Sequence, residues 1–142
     1  TITILESATG LKRNSLYHLF PGGKDEMAAA VLEHAAAIMY ERALKPLEGS
    51  GNPKKKLVAM CDALDDFYAS GRESCLVGAL SFGYPDDFIQ QRITQAVKTW
   101  IGMLASVIRE SGVAPEKART RAEAGVIAIQ GALAANALSS DS

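Results

Sequence analysis

The sequence has few of the residues on which several large classes of protein depend. Among its 142 residues there are only two cysteines, Cys61 and Cys75, and two histidines. Two cysteines do not form the disulfide framework of a small secreted domain, and no spacing of Cys and His predicts a zinc site. No signal peptide is visible in these residues, nor any apolar run of about 18 residues, the length that spans a membrane. We therefore expect a cytoplasmic protein with inert thiols, no metal and no membrane partner.

Apolar residues are plentiful, at 48% of the chain, which is enough for a sizeable core. The net charge is −1, but it is unevenly distributed. Residues 1–56 hold eight Lys or Arg and six Asp or Glu (net +2), whereas residues 57–142 hold seven and ten (net −3). A mildly basic N-terminal part and an acidic C-terminal part permit local contact with nucleic acid without strong non-specific binding.

Hydrophobic periodicity predicts an all-α fold. Residues 1–8 alternate Thr and Ile like a strand, but the turn at Gly10 and the polar segment after it favour a helix with Ile2 and Leu5 facing the core. We predict further helices at about 11–20, 24–45, 53–70, 75–84, 85–111 and 115–138. In the third helix we expect His34 to lie on the apolar face and to be a satisfied core histidine.

Residues 9–27 carry the most informative pattern. A short helix after Gly10 holds Lys, Arg, Asn, Ser, Tyr and His side chains and stops at Pro21, with Leu11, Leu16 and Phe20 expected on its buried side. A short helix crowded with hydrogen-bond donors after a Gly-containing turn suits insertion into the major groove of DNA. By composition alone, an ordinary solvated polar helix explains these residues as well or better.

Catalytic patterns are absent from the sequence. Asp62, Asp65 and Asp66 cluster, but helical spacing places them mostly on a polar face. No Glu-x-x-His pair, Ser/His/Asp set or phosphate loop occurs. We predict a protein that is not an enzyme and needs no cofactor. A helical bundle that binds small molecules, or acts as an enzyme without binding DNA, stays open as the alternative.

Residues 1–27 resemble the second and third helices, and the opening of the fourth, of the tetracycline-repressor-like (TetR) family of bacterial transcription regulators. The matching pattern is Ala-Thr-Gly-Leu at 8–11, Leu-Tyr-His-x-Phe-Pro at 16–21, Gly-Lys-x-Glu-Met at 23–27 and Ala-Val at 30–31. Residues 75–79, Trp100 and residues 130–133 look like the subfamily of antibiotic- and flavonoid-responsive, LmrA-like repressors. Lys12 departs from the family pattern, because a Ser or Thr N-cap usually stands there.

The resemblance implies a DNA-binding domain at residues 1–33 and a helical ligand-binding and dimerisation domain at residues 34–142. Such proteins typically have one helix before the segment that starts here and another after the segment that ends here, so the sequence looks trimmed at both ends. The implied function is a ligand-responsive regulator, a repressor that releases a palindromic double-stranded operator when a small apolar effector binds.

The resemblance also implies roles for individual residues. Arg suits guanine and Asn suits adenine in the major groove, which makes base-edge readers of Arg13, Asn14, Ser15 and His18. Phosphate contacts fall to Lys12, Tyr17 and Lys24. A ligand cavity would be lined by Phe67, Tyr68, Phe82, Tyr84, Phe88, Trp100 and Met103, although each is more often plain core. Small and apolar residues on the last helix suit a homodimer interface at Gly125, Ala128, Ile129, Ala132, Leu133 and Ala135.

Overall fold

The computed structural model describes residues 1–70, Cys75 and residues 87–140. Every element in these ranges is helical, and none of the described residues forms a strand, so the predicted all-α fold is confirmed. The predicted helix at 75–84 lies outside the described residues, apart from Cys75. The α-helices are α1 (Ile2–Thr9), α2 (Arg13–Leu19), α3 (Gly23–Met39), α4 (Pro53–Phe67), α5 (Asp87–Glu110) and α6 (Pro115–Ser140).

The first two helices form a helix-turn-helix that is held by a small apolar cluster. α1 ends at Gly10, whose φ of 71° is the left-handed conformation that glycine adopts without strain. This cluster consists of the buried side chains of Ile2, Leu16 and Met27, and it joins α1, α2 and the start of α3. Leu5 and Leu11 were expected in this cluster and are exposed instead. Leu11 precedes the first residue of α2, so the periodicity of that helix does not apply to it.

α3 runs away from this cluster and ends sooner than the sequence predicts. After Met39 the chain forms a short π-helix over Tyr40–Leu44 and then a short 3₁₀ helix over Lys45–Glu48. Pro46 has no N–H to continue an α-helical ladder, which explains the break. Along α3, Ala29 and Leu32 pack against Ile89 and Ile93 of α5. Because alanine is small, α3 and α5 can approach each other closely here. The buried face of α3 is therefore the one that carries Ala29 and Leu32. His34, predicted as a core residue, is exposed.

The C-terminal helices form the main core. α4 begins as predicted, with the Asn52 side chain accepting a hydrogen bond from the Lys55 N–H at 2.9 Å and Pro53 in the first turn. α5 and α6 pack along each other around Trp100, Leu104 and Val126, with the end of α3 and α4 closing the other side. Of the helices in the described ranges, none is long and apolar enough to cross a membrane.

Candidate functional site

α2 presents a polar surface while one residue anchors it. Leu16 is 4% exposed, whereas every polar residue predicted to contact DNA is exposed. Those exposed residues are Lys12, Arg13, Asn14, Ser15, Tyr17, His18 and Lys24. His18 stands in the last turn of α2, where a protonated imidazole would complement the negative end of the helix dipole. The geometry therefore leaves these side chains available to a partner.

The N-terminus of α2 is capped from another helix. Lys12 makes no side-chain cap, but the Glu6 carboxylate of α1 accepts a hydrogen bond from the Arg13 N–H at 2.7 Å. The carboxylate satisfies one of the free N–H groups of the first turn and adds negative charge at the positive end of the dipole. The missing Ser or Thr cap is therefore replaced, and α1 fixes the direction in which α2 starts.

The turn between α2 and α3 is equally specific. Gly23 has a φ of 74°, a conformation that side-chain-bearing residues rarely adopt. The Gly22 N–H donates to the Glu26 carboxylate at 2.6 Å, so α3 caps its own start. A methyl group placed on Gly23 would lie 3.5 Å from Cε1 of Tyr17, which shows how closely the Tyr17 ring lies to this turn.

A cavity of about 580 Å³ opens between the end of α3, α4 and α5, within the size range of about 300–1,000 Å³ that small-molecule sites have. Its lining is mostly apolar and includes the aromatic rings of Phe67, Tyr68 and Trp100. Phe67 and Tyr68 meet edge to face, with ring centroids 4.9 Å apart. Arg42 and Asp66 also line the cavity and are exposed, so the charge of both signs lies at its mouth.

The interior of the cavity is electrically neutral. The Tyr68 hydroxyl lies 3.5 Å from Sγ of Cys75 and 3.6 Å from Sδ of Met39, and either sulfur can accept a hydrogen bond from it. Burial, together with the hydrogen bond to Cys75, raises the pKa of the Tyr68 hydroxyl well above its ordinary value. The Tyr40 hydroxyl donates to Glu48 at 2.6 Å, and this bond raises the pKa of Tyr40 as well. Both phenols therefore stay protonated, and the cavity suits an apolar, uncharged guest.

Residues 53–142 match the family model described as the C-terminal domain of LmrA/YxaF-like transcriptional regulators. This match covers more than half of the chain. The protein belongs to the TetR family of transcriptional regulators. The predicted membership of the TetR family is thus confirmed, and so is the resemblance of residues 75–79, Trp100 and residues 130–133 to the LmrA-like subfamily.

Among solved structures, the regulator is similar to a TetR transcriptional regulator from Legionella pneumophila. The TM-score is 0.83 with 21% sequence identity, over 98% of this chain and 77% of that one. At that identity the likeness shows the fold alone, a helix-turn-helix followed by a helical domain. A search of curated proteins gives no match.

Three of the seven aromatic and methionine residues predicted for the ligand site line the cavity: Phe67, Tyr68 and Trp100. Phe88 does not, because it is 48% exposed on α5 with the Arg92 guanidinium 4.8 Å above its ring. Met103 packs against the core instead. Phe82 and Tyr84 lie outside the described residues. We correct the site accordingly and drop Phe88 and Met103.

The predicted dimer residues on α6 divide into two groups. Leu133 is buried and Ile129 partly buried in the regulator's own core, and a methyl group on Gly125 would lie 3.6 Å from Leu104. These three face α5 of the same chain and are removed from the predicted interface. Ala128, Ala132 and Ala135 are exposed.

Besides the Glu6 cap of α2, two features of the sites were not foreseen from the sequence. Ile127 is 71% exposed and belongs to the outer face of α6; its spacing from Ala128, Gly131 and Ala135 could have revealed it. The contribution of α3 to the cavity, through Ala35, Ala36 and Met39, was also missed. Small residues on a helix look like helix formers, and only the tertiary structure shows that they leave a space.

Proposed function

We propose that this regulator is a homodimer that binds a palindromic operator through α2 and releases it when a small apolar molecule enters the cavity. The observation that carries the proposal is that one helix, α3, touches both sites. Met27 near its start packs against Leu16 of α2, and Met39 at its end lines the cavity. A helix of 17 residues spans roughly 25 Å, so a shift at one end reaches the other.

The DNA-binding part of the proposal rests on the exposed face of α2. In this proposal the base edges are contacted by Arg13, Asn14, Ser15 and His18, and the phosphates by Lys12, Tyr17 and Lys24. Leu16 anchors the helix from behind, so these side chains can change without loss of the local core. A duplex isolated from a random pool by retention on the protein supplies the ligand for testing this part.

In that test, Arg13→Ala should weaken binding to the selected duplex about tenfold or more, the value of one good base contact. Tyr17→Phe, which keeps the ring beside Gly23 and removes the hydroxyl, should weaken it less and for all sequences alike. Arg109→Ala is the matched control, because it removes the same charge from an exposed position on α5. Fluorescence anisotropy measures the affinity of all three variants for the duplex. An equal loss of affinity in Arg13→Ala and Arg109→Ala would contradict the assignment of α2 as the DNA-binding helix.

The dimer part rests on the outer face of α6. Ile127 is exposed beside Ala128, Gly131, Ala132 and Ala135, and a small apolar surface of this kind allows two helices to approach closely. A two-fold axis through this face would present two copies of α2 to two half-sites. We propose two domains with the limits predicted from the sequence. Residues 1–33 bind DNA, and residues 34–142 bind the ligand and form the dimer.

Sedimentation equilibrium tests the dimer. Ile127→Glu should give a folded monomer and reduce operator binding, because two half-sites are no longer bound together. Val58→Glu is the control: it places the same charge on an exposed branched residue of α4 and should leave the dimer intact. If the Ile127 variant stays dimeric, the interface lies elsewhere.

The release step is a population shift. An occupant of the cavity that fits one position of the end of α3 better than another favours that position, and α2 moves with it. An uncharged tricyclic aromatic molecule such as 9-fluorenone is a suitable probe. With the probe bound, affinity for the selected duplex should fall tenfold or more. Unchanged affinity at demonstrated saturation would contradict the release, and the regulator would then be a small-molecule-binding bundle whose DNA contacts are independent.

No catalytic activity is part of the proposal. In the part of the chain that the structure describes, no group of three or more His, Cys, Asp or Glu side chains could hold a metal ion. Asp62, Asp65 and Asp66 are all exposed on α4, as their helical spacing predicts. A role as a regulator that responds to binding, without chemistry, is the simpler account of the cavity.

A further inference from the structure

A third apolar cluster joins α3 to α5, apart from the main core and from the cluster that anchors α2. It consists of Ala29 and Leu32 of α3 with Ile89 and Ile93 of α5. Both residues of α3 belong to the proposed DNA-binding part, residues 1–33, and both residues of α5 belong to the C-terminal part. The two parts are therefore joined by side-chain packing as well as by the continuous helix α3.

An ion pair lies beside this cluster and joins the same two parts. Glu33, the residue after Leu32, pairs with the guanidinium of Arg92, the residue before Ile93. Apolar contacts have no preferred direction, so the cluster restrains the distance between α3 and α5 more strongly than the angle between them. A hydrogen-bonded pair of a carboxylate and a guanidinium depends on orientation, and it therefore favours one angle.

Arg92 is held in place on its own helix. Its guanidinium lies 4.8 Å from the centroid of the Phe88 ring, one turn earlier on α5. An exposed ion pair is usually weak, because two long side chains must lose their freedom to form it. The ring already restricts Arg92, so less freedom is lost when Arg92 pairs with Glu33.

The pair lies close to the part of α3 that supports α2. Met27 packs with Leu16 of α2, and Glu33 follows six residues later on the same helix, a distance of roughly 9 Å along its axis. A change in the angle of α3 at Glu33 therefore moves α2 as well. In a two-fold dimer this change occurs in both copies, so both contribute to the separation of the two α2 helices.

We infer that Arg92 is a positioning residue for DNA binding: by holding Glu33, it sets the angle between α3 and α5 and thereby the separation of the two α2 helices. The inference rests on the proposed function, because it assumes that a dimer reads DNA through α2. Arg92 acts through Glu33 and α3 and does not contact DNA. Its loss leaves each α2 able to read its half-site but allows a wider range of separations.

A double-mutant cycle tests the coupling between the two side chains. Fluorescence anisotropy at one salt concentration measures the affinity of Arg92→Met, Glu33→Ala and the double variant for the duplex selected by the wild type. The affinity can fall by no more than the factor by which the pairs of both chains favour the correct angle. For two exposed pairs, Arg92→Met should weaken binding about two- to tenfold. When Glu33→Ala is already present, Arg92→Met should have little further effect, because the pair is already broken.

Lys56 and Glu110 supply the matched control cycle. Their ion pair, at 2.8 Å, also joins a helix to α5, but both partners lie in the C-terminal part. Lys56→Met, Glu110→Ala and their double variant remove the same charges as the test cycle. They should show no coupling in DNA affinity, because this pair does not hold α3.

The separation of the half-sites is a second readout, which a residue that only adds stability would not change. The probes are duplexes that carry the selected half-sites at spacings varied in steps of one base pair. The wild type should prefer one spacing, whereas Arg92→Met should bind several spacings with similar affinity. Arg92→Lys, which keeps the charge, should retain the narrow preference. The side chains of Arg92 and Glu33 are 43% and 57% exposed, so each variant should fold, which circular dichroism checks.

The outcomes separate the role of Arg92 from the proposed function. If the wild type enriches a palindrome but the test cycle shows no coupling, or Arg92→Met keeps the wild-type spacing, the inference is overturned while the proposed function stands. A loss of affinity in Arg92→Met that is the same with and without Glu33 would also overturn it, because Arg92 would then contact DNA itself. A wild type that enriches no palindrome overturns the proposed function, and the role of Arg92 with it.

Discussion

The Glu6 cap makes the position of α2 depend on a residue of another helix, and its removal has a calculable effect. The Glu6 carboxylate accepts from the Arg13 N–H at 2.7 Å. Loss of an N-cap acceptor costs about 1 kcal/mol, and loss of a negative charge at a helix start costs about 0.3–1 kcal/mol more. We therefore expect Glu6→Ala to destabilise α2 by about 1–2 kcal/mol. Glu6→Gln, which keeps an acceptor oxygen, should cost roughly half as much.

The effect should be local, because α2 has seven residues and is too short to persist without its contacts. Amide hydrogen exchange is the appropriate assay. The N–H groups of Leu16 and Phe20 close the helix on the carbonyls of Lys12 and Leu16. In Glu6→Ala their exchange should accelerate about tenfold, the equivalent of 1.4 kcal/mol, if opening is local.

Glu116→Ala is the control for this experiment, because Glu116 is an acidic residue in the first turn of α6, far along the chain from α2. It should leave exchange in α2 unchanged. Operator affinity should fall less in Glu6→Ala than in Arg13→Ala, since α2 still spends most of its time closed. If the amide exchange of Leu16 and Phe20 is the same in Glu6→Ala as in the wild type, the Glu6 carboxylate does not hold α2 in place.

Three other predictions concern stability. Gly23→Ala should lower the midpoint of thermal unfolding, at a cost of about 1 kcal/mol, because a residue with a side chain is strained at a φ of 74°. Gly102 is exposed on α5, and a methyl group there would have nothing within 4 Å. Gly102→Ala should therefore stabilise the protein by a similar amount and raise the midpoint. Burial raises the pKa of Tyr68, so the folded state holds its proton more tightly; its contribution is complete below the ordinary tyrosine pKa of about 10 and is lost as the pH rises above it. The fall in the free energy of unfolding between pH 7 and alkaline pH should therefore be smaller in Tyr68→Phe than in the wild type. An equal fall in both proteins would point to another titrating group. Lys56→Met should cost up to about 1 kcal/mol in urea unfolding, because Lys56 joins α4 to Glu110 of α5 at 2.8 Å; no coupling in a double-mutant cycle with Glu110→Gln would contradict this.

The sequence was sufficient for the order of the helices that the structure describes and for the N-terminal motif, since both depend on local chemistry. The turn at Gly10 ends α1, α2 stops before Pro21, and α4 starts at Pro53, as predicted. Buried faces were harder to predict. The apolar residues Leu5 and Leu11 are exposed, while Ala29 is buried. Which side of a helix is covered depends on the partner helix, and a small residue at a close contact carries no hydrophobic signal of its own.

The sites show the same limit. The exposure of Arg13 and Asn14 follows from the helical spacing around Leu16, so the polar face of α2 was predictable. The Glu6 cap was not, because the two residues are seven positions apart and meet only when α1 and α2 turn against each other. Equally, Leu133 and Ala128 look alike as apolar residues on α6. Only the packing of α6 on α5 shows that the first faces inward and the second outward.

We propose that two copies of this chain, related by a two-fold axis, read DNA with α2. To test this, the protein is incubated with a pool of random duplexes at moderate salt, and the retained sequences are determined. We expect an enriched palindrome whose half-sites are separated by a distance that two copies of α2 can span, and loss of that enrichment with Arg13→Ala. A folded, dimeric protein that enriches no sequence, or a sequence without two-fold symmetry, would contradict it.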